Sequence, residues 1–339
     1  MATRVKIALI YFGAVIIALL MAEAYYAGVF NFGTPIKNLK ADVKVISGKN
    51  IQGHKILGYA PSANSSYLIN KYYGDSLLYK YSQTIDKYGL RKNQSPDSSS
   101  WANAALFFGD SFTFGEGVED HETSSSIFQN KSHGKFKAIN YAYIGYGPHQ
   151  TLALLENNLE KKPLSGLKPQ VGILQIIPDH VFRVADKSGW DFFGPEYKIS
   201  EKTNKLVYNG AFNNNITGKI KSFFFRSHLV KNIFYRNRQY SYDDVELLAK
   251  VVKESYQIFN ERYGNKFYVI LWQLKESESD LYSQILTQLC KLGVPVIEIK
   301  DILPDYSPNS SKYIIQFDNH PNKYTHKLLG EYLYELVQK

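Results

Sequence analysis

The stretch Ala104-Ala105-Leu106-Phe107-Phe108-Gly109-Asp110-Ser111-Phe112-Thr113-Phe114-Gly115 opens on an apolar run and breaks at a Gly-Asp pair. A short apolar run bounded by turn residues reads as a buried strand, which places Ser111 in a tight turn just past the strand's carboxyl end. Ligands of open α/β sheets bind at that edge. A serine hydroxyl there becomes a nucleophile only if a base takes its proton and donors hold the oxyanion. Candidates for the base and its orienting acid stand far downstream, in Asp318-Asn319-His320-Pro321-Asn322.

Outward from that stretch, apolar runs predict strands over 104–108, 137–142, 171–177, 266–274 and 294–299. Helical spacing predicts helices over 123–130, 150–161, 243–263, 277–292 and 323–337. Strands alternating with helices build a mainly parallel sheet covered on both faces. The expected fold class is therefore α/β, a three-layer α/β/α sandwich around a five-stranded sheet, over residues 101–339. Residues 185–242, rich in Asn, Lys and Phe, are too long for an ordinary connection and read as an insertion or lid over the sheet edge. Residues 32–100 read as linker and peripheral strands: 34–60 is polar with little periodicity, 77–86 alternates as a peripheral strand or hairpin arm does, and 93–100 is a Ser/Pro/Asp loop.

At the N-terminus Arg4 and Lys6 precede an apolar run over 7–22, which only Glu23 separates from a further apolar stretch through Phe30. Counted through Phe30, the segment is long enough to span a bilayer, with its basic end inside and Tyr25 and Tyr26 at the far interface. Counted to Ala24, it reads as a signal peptide with a small-x-small site at Ala22-Glu23-Ala24. Both readings send the remainder out of the cytoplasm. The uncleaved anchor over residues 1–31 is preferred: a single pass through a bacterial inner membrane, with the remaining chain in the periplasm or outside.

The net charge of +9 comes from Lys and Arg spread along the chain, with no block of like charge, so nucleic acid is not an expected partner. The 27 Tyr and 20 Phe residues can line a carbohydrate surface, although strand packing is the commoner use of such residues. Cys290 is the only cysteine, so no intramolecular disulfide forms; on an amphipathic helix it is expected to be a buried small hydrophobe. His54, His121, His133, His149, His228 and His326 show no paired metal-ligand spacing, and neither a metal nor a cofactor is expected. Ser111 is not in a Gly-x-Ser-x-Gly elbow. Gly115-Glu116-Gly117 lacks the Lys-Ser/Thr of a phosphate loop and reads as a turn.

Four short blocks fall at predicted strand ends or before the last helix: Gly109-Asp110-Ser111, Asn140-Tyr141-Ala142-Tyr143-Ile144-Gly145-Tyr146-Gly147, Pro178-Asp179-His180-Val181-Phe182-Arg183, and Asp318-Asn319-His320-Pro321-Asn322. In this order they resemble the SGNH (GDSL-like) hydrolase superfamily over residues 102–339, and residues 109–122 with 145–150 are similar to its membrane-anchored bacterial members. The resemblance implies an SGNH/flavodoxin-like sheet, Ser111 as nucleophile, His320 as base and Asp318 as the acid that orients it. Chemistry agrees, because a histidine held by a carboxylate shuttles protons near neutral pH. The spacing departs from the common family pattern by having one residue between acid and base; some polysaccharide O-acetyltransferases of the superfamily share it. The resemblance also implies oxyanion donors at the Ser111 and Gly145 N–H groups.

The family's third donor, an Asn side chain, falls here on Asp179, which as a carboxylate only accepts, or on Pro178, which has no side-chain donor. His180 is the expected substitute. A surface turn, or an Arg183 ion pair, is an equal reading of Asp179 and His180. Ser111 also fits a helix N-cap, and His320 a cap on the last helix. The implied activity is ester hydrolysis through an acyl-enzyme on Ser111, possible substrates being acyl esters of envelope glycans. Alternatives are O-acyl transfer to an envelope polysaccharide, or a catalytically weak glycan-binding component of an export or modification complex.

Overall fold

Alternate residues of the strand that ends at Phe108 face opposite ways, and the two faces bury different partners. Ala105 and Phe107 pack with Phe128, Leu329 and Leu333 on one side, whereas Leu106 and Phe108 pack with Leu152, Val252 and Phe259 on the other. This period of two is what a sheet covered on both faces requires. Emptying such a position, as in Phe107→Ala, costs about 3–5 kcal/mol.

The computed structural model describes residues 2–27, 42–45, 51–73, 76–94, 101–264, 266–308 and 310–338. In chain order, its elements begin with helix α1 (Ala2–Tyr26) and strands β1 (Asp42–Val45), β2 (Ile51–His54), β3 (Gly58–Pro61), β4 (Ser65–Tyr73), β5 (Ser76–Ile85) and β6 (Asn103–Phe108). Then come α2 (Ser111–Phe114), α3 (Ser124–Lys131), β7 (Phe136–Asn140), α4 (Pro148–Glu156), β8 (Lys168–Ile176), α5 (His180–Val184), β9 (Pro195–Ile199) and β10 (Leu206–Ala211). The chain finishes with α6 (Ile216–Phe224), α7 (His228–Asn237), α8 (Tyr242–Tyr263), β11 (Phe267–Leu271), α9 (Ser279–Lys291), β12 (Val296–Glu298), α10 (Ile299–Ile302) and α11 (Lys323–Gln338).

The central sheet has five strands in the order β12-β11-β8-β6-β7, and every pair in it is parallel. Helices α3 and α11 cover one face, while α4, α8 and α9 cover the other. The architecture is the expected three-layer α/β/α sandwich. The carboxyl ends of β6, β7 and β8 lead into the turns that carry the first three blocks, and the fourth block immediately precedes α11.

Several expectations need correction. The span 34–60, expected as linker, contains β1, which pairs with β4, and β2 and the start of β3, which pair as an antiparallel hairpin over Ile51 to Pro61. The strand expected over 294–299 is only β12, because Pro295 has no N–H to donate and α10 begins at Ile299. Cys290 is exposed rather than buried; α9 turns Leu281, Ile285 and Leu289 to the core instead. The long span 185–242 contains the β9/β10 hairpin and the helices α6 and α7.

The chain divides into two units. Residues Lys40–Phe212 and Tyr240–Lys339 form the sandwich with its peripheral hairpins, and Met1–Leu39 and Asn213–Gln239 form the other. Within that smaller unit the Glu23 carboxylate accepts from Ser227 Oγ at 2.6 Å and from the N–H groups of His228 and Leu229 at 2.7 and 2.9 Å. It thereby satisfies amides that the first turn of α7 leaves open. Among the described residues no helix is long and apolar enough to cross a membrane; side chains of α1 are described from Tyr11 onward.

Candidate active site

The turn after β6 admits only glycine at its first position. Gly109 has φ +141°, and a Cβ there would lie 2.3 Å from Thr113 Oγ1. Asp110 follows as N-cap of α2, its Oδ1 accepting from Phe112 N at 3.0 Å. Arg91, fully buried, donates to the carbonyls of Phe114 and Val118 at 2.9 and 2.6 Å and pairs with Asp120 at 2.9 Å. Asn140, at the end of β7, donates to Thr113 O at 2.9 Å. The turn that presents Ser111 is thus held on every side by buried polar contacts.

The structure brings Ser111, His320 and Asp318 together. Ser111 Oγ lies 2.8 Å from His320 Nε2, and His320 Nδ1 lies 2.9 Å from Asp318 Oδ2. The single residue between acid and base is accommodated by backbone: Phe317 and Asn319, flanking Asp318, have φ of +62° and +65°. Left-handed residues turn the chain sharply enough for a short Asp-x-His segment to fold its acid back onto its base. The segment is pinned by Ile315 N–H donating to His320 O at 2.8 Å, and by an antiparallel bridge between Ile314 and Pro321.

Three residues that sequence reasoning missed complete this cluster. Lys71 Nζ contacts Asp318 Oδ1 and lies 3.3 Å from Glu116 Oε1, and Glu116 Oε2 is 3.5 Å from His320 Nε2. Tyr79, the cross-strand partner of Lys71 between β4 and β5, also donates to Glu116, at 3.3 Å. Burial opposes the charge on Asp318, but the hydrogen bond and charge of His320 and the ammonium of Lys71 outweigh it, lowering its pKa to about 2. Burial works against protonated His320 too, yet the carboxylates of Glu116 and Asp318 overcome it, and its pKa lies above the ordinary 6.5. The alternation over 77–86 offered Tyr79 as a strand residue and Gly115-Glu116-Gly117 was legible as a turn, but neither signal reveals what those side chains reach.

In the third block the structure shows the Arg183 ion pair for Asp179, and neither Asp179 nor His180 is placed to donate to an oxyanion. Asp179 directs Oδ2 to Arg183 Nε at 3.0 Å, so it neither donates nor is free to. His180 is fully buried, with Nε2 3.2 Å from Asp110 Oδ2 and Nδ1 accepting from Ile177 N–H at 3.4 Å. Both ring nitrogens are engaged, and burial pushes its pKa down; His180 therefore has no N–H left for an oxyanion. Arg183 Nη1 donates to Asp110 Oδ2 at 3.0 Å and to Tyr146 O at 2.5 Å. The block thus braces Asp110, whose pKa falls because His180 and Arg183 outweigh the cost of burial.

Two candidate donors remain. Gly145 has φ +79°, and its amide, like that of Ser111, has no acceptor among the described residues. Arg183 ties the Gly145 turn to the Ser111 turn, since it grips Tyr146 and Asp110 at once. No group of side chains that could hold a metal ion occurs among the described residues.

No protein-family model matches the chain, and no curated protein does. Solved structures similar to it include a member of the lipolytic G-D-S-L family from Veillonella parvula, at 13% identity and TM-score 0.38, covering 70% of this chain and 100% of that one. An acetyl xylan esterase from the rumen bacterium Butyrivibrio proteoclasticus matches at 10% identity and TM-score 0.42, covering 82% and 72%. A psychrotrophic esterase from Pseudoalteromonas sp. matches at 14% and TM-score 0.38, covering 70% and 97%. These are loose likenesses of fold, and the functional reading rests on the site's own geometry.

Proposed function

We propose that the chain is a serine ester hydrolase of the SGNH type that works through an acyl-enzyme on Ser111. The carrying observation is the continuous chain of contacts from Ser111 Oγ through His320 to Asp318, at 2.8 and 2.9 Å. His320 Nε2 takes the Ser111 proton as Oγ attacks the ester carbonyl, and the resulting imidazolium is stabilised by Asp318 and Glu116. The oxyanion is held by the N–H groups of Ser111 and Gly145. Collapse returns the proton from His320 to the leaving alkoxide and leaves the acyl group on Ser111. Water, deprotonated by the same imidazole, then releases the acid and restores the serine.

The substrate proposed is an acyl ester of an envelope glycan. Trp190, 41% exposed and beside Gly145, supports that substrate class as an aromatic side chain at the site, and residues 1–31 are proposed as an anchor that keeps the sandwich outside the cytoplasmic membrane, on the strength of their apolar sequence. A sugar hydroxyl in place of water would make the same site an O-acyltransferase. A catalytically weak glycan-binding role is the further alternative, favoured by one observation: neither Asp179 nor His180 supplies a third oxyanion donor. A fluorophosphonate probe tests the reading on the full chain. Labelling that disappears in both Ser111→Ala and His320→Ala is expected; folded wild-type protein that does not label would refute an activated Ser111.

A further inference from the structure

Ile144 and Gly145 share one peptide group, and the Tyr59 hydroxyl donates to its carbonyl, Ile144 O, at 3.0 Å. A trans peptide is planar and stiff, so fixing the C=O fixes the Gly145 N–H that points the opposite way. That N–H has no acceptor among the described residues. On the other side of Gly145, Tyr146 O is gripped by Arg183, which also holds Asp110. The turn is therefore held at the carbonyls of both residues that flank Gly145.

Tyr59 is itself held. Its own carbonyl accepts from Tyr146 Oη at 2.6 Å, and its ring packs edge-on against Tyr146 at 5.3 Å and tilted against Tyr143 at 5.9 Å. Burial, reinforced by the charge of Asp191, drives the hydroxyl's pKa far up, so it stays a donor at any working pH. The approach is close enough to dictate the residue opposite: a Cβ on Gly145 would stand 2.7 Å from Tyr59 Oη.

We propose that Tyr59 is a positioning residue of the oxyanion hole, aiming the Gly145 N–H by anchoring the carbonyl of the same peptide. The inference rests on the acyl-enzyme reading above. It assigns the β2/β3 hairpin, outside the α/β sandwich, a part in catalysis.

The test compares wild type, Tyr59→Phe and Ser111→Ala in the full chain, with p-nitrophenyl acetate as ester and phenylboronic acid as a mimic of the tetrahedral adduct. Tyr59→Phe removes one oxygen and keeps the ring. Its kcat is expected to fall roughly 10–50-fold, less than the about 10²–10³-fold loss of a whole donor, with KM unchanged. Affinity for the boronate is expected to fall by a similar factor, while the thermal midpoint stays put. A kcat within twofold of wild type would overturn the inference. So would a fall in kcat that tracks a lower thermal midpoint and spares boronate affinity, since that marks a merely structural tyrosine. The two failures are separable: hydrolysis persisting in Ser111→Ala sinks the acyl-enzyme reading, whereas a dead Ser111→Ala beside a fully active Tyr59→Phe sinks only the role of Tyr59. A wild type that neither hydrolyses the ester nor binds the boronate overturns both.

Discussion

Lys71→Met keeps the side-chain stem and removes an ammonium set between two carboxylates of the site. At the 3.3 Å separation of Lys71 and Glu116, the Coulomb energy is about 1 kcal/mol at the permittivity of water and about 5 kcal/mol at an effective permittivity of about 20. The side chains of Lys71, Glu116 and Asp318 are 11%, 13% and 4% exposed, which places the case toward the upper figure. Removing one partner of a buried pair costs about 3–5 kcal/mol. The variant is expected to lose about 3 kcal/mol of unfolding free energy at alkaline pH, where His320 is neutral.

The pH dependence has a definite sign. His320 has a raised pKa in the folded chain, so the stability its protonation contributes is full below the ordinary 6.5 and fades as pH rises through the folded value. Lys71 opposes that protonation; without it, the imidazolium becomes the counterion of both carboxylates and persists to higher pH. The loss of stability should therefore shrink on acidification, and the acid limb of kcat/KM should move up. Urea unfolding across the pH range and a pH–rate profile measure both effects. An alkaline loss below about 0.5 kcal/mol, the scatter of ordinary surface substitutions, or an acid limb that moves down, would refute this account of the cluster.

Other outcomes follow from the same contacts. Asp318→Asn should leave the fold intact and lower kcat by about 10⁴-fold, the scale set by losing the orienting carboxylate of a serine triad; a drop under tenfold would show that Glu116 or the backbone orients His320 instead. Arg183→Met leaves Asp110 buried with only His180 and the Phe112 N–H as partners, and should cost about 3–5 kcal/mol in stability. Denaturant unfolding that shows no change in that variant would mean Asp110 is satisfied without the guanidinium.

Sequence alone carried the sandwich because its signals are local. The apolar run that ends at Gly109 and the alternation of strand and helix patterns need no knowledge of distant residues, and the five parallel strands appear where those patterns stand. Boundaries moved where a local rule intervened, as at Pro295. Ser111, Asp318 and His320 could be singled out from sequence because a serine past a buried strand calls for a base and an acid, and that the three meet is seen only in the structure. His180 was misjudged because its chemistry permits donation equally to an oxyanion or to Asp110, and only packing shows which acceptor faces it.

Lys71, Tyr79 and Tyr59 were invisible for a related reason. They lie on antiparallel hairpins whose alternation sets which face a side chain occupies, not which distant loop lies against that face. Lys71 meets Asp318 across 247 positions of chain and Tyr59 meets Ile144 across 85. The sequence determined that a serine, a base and an acid are available at the edge of a parallel sheet. Tertiary structure decided which charges surround them and which hydroxyl aims the Gly145 peptide, because contacts between segments far apart in the chain are fixed by how whole elements pack.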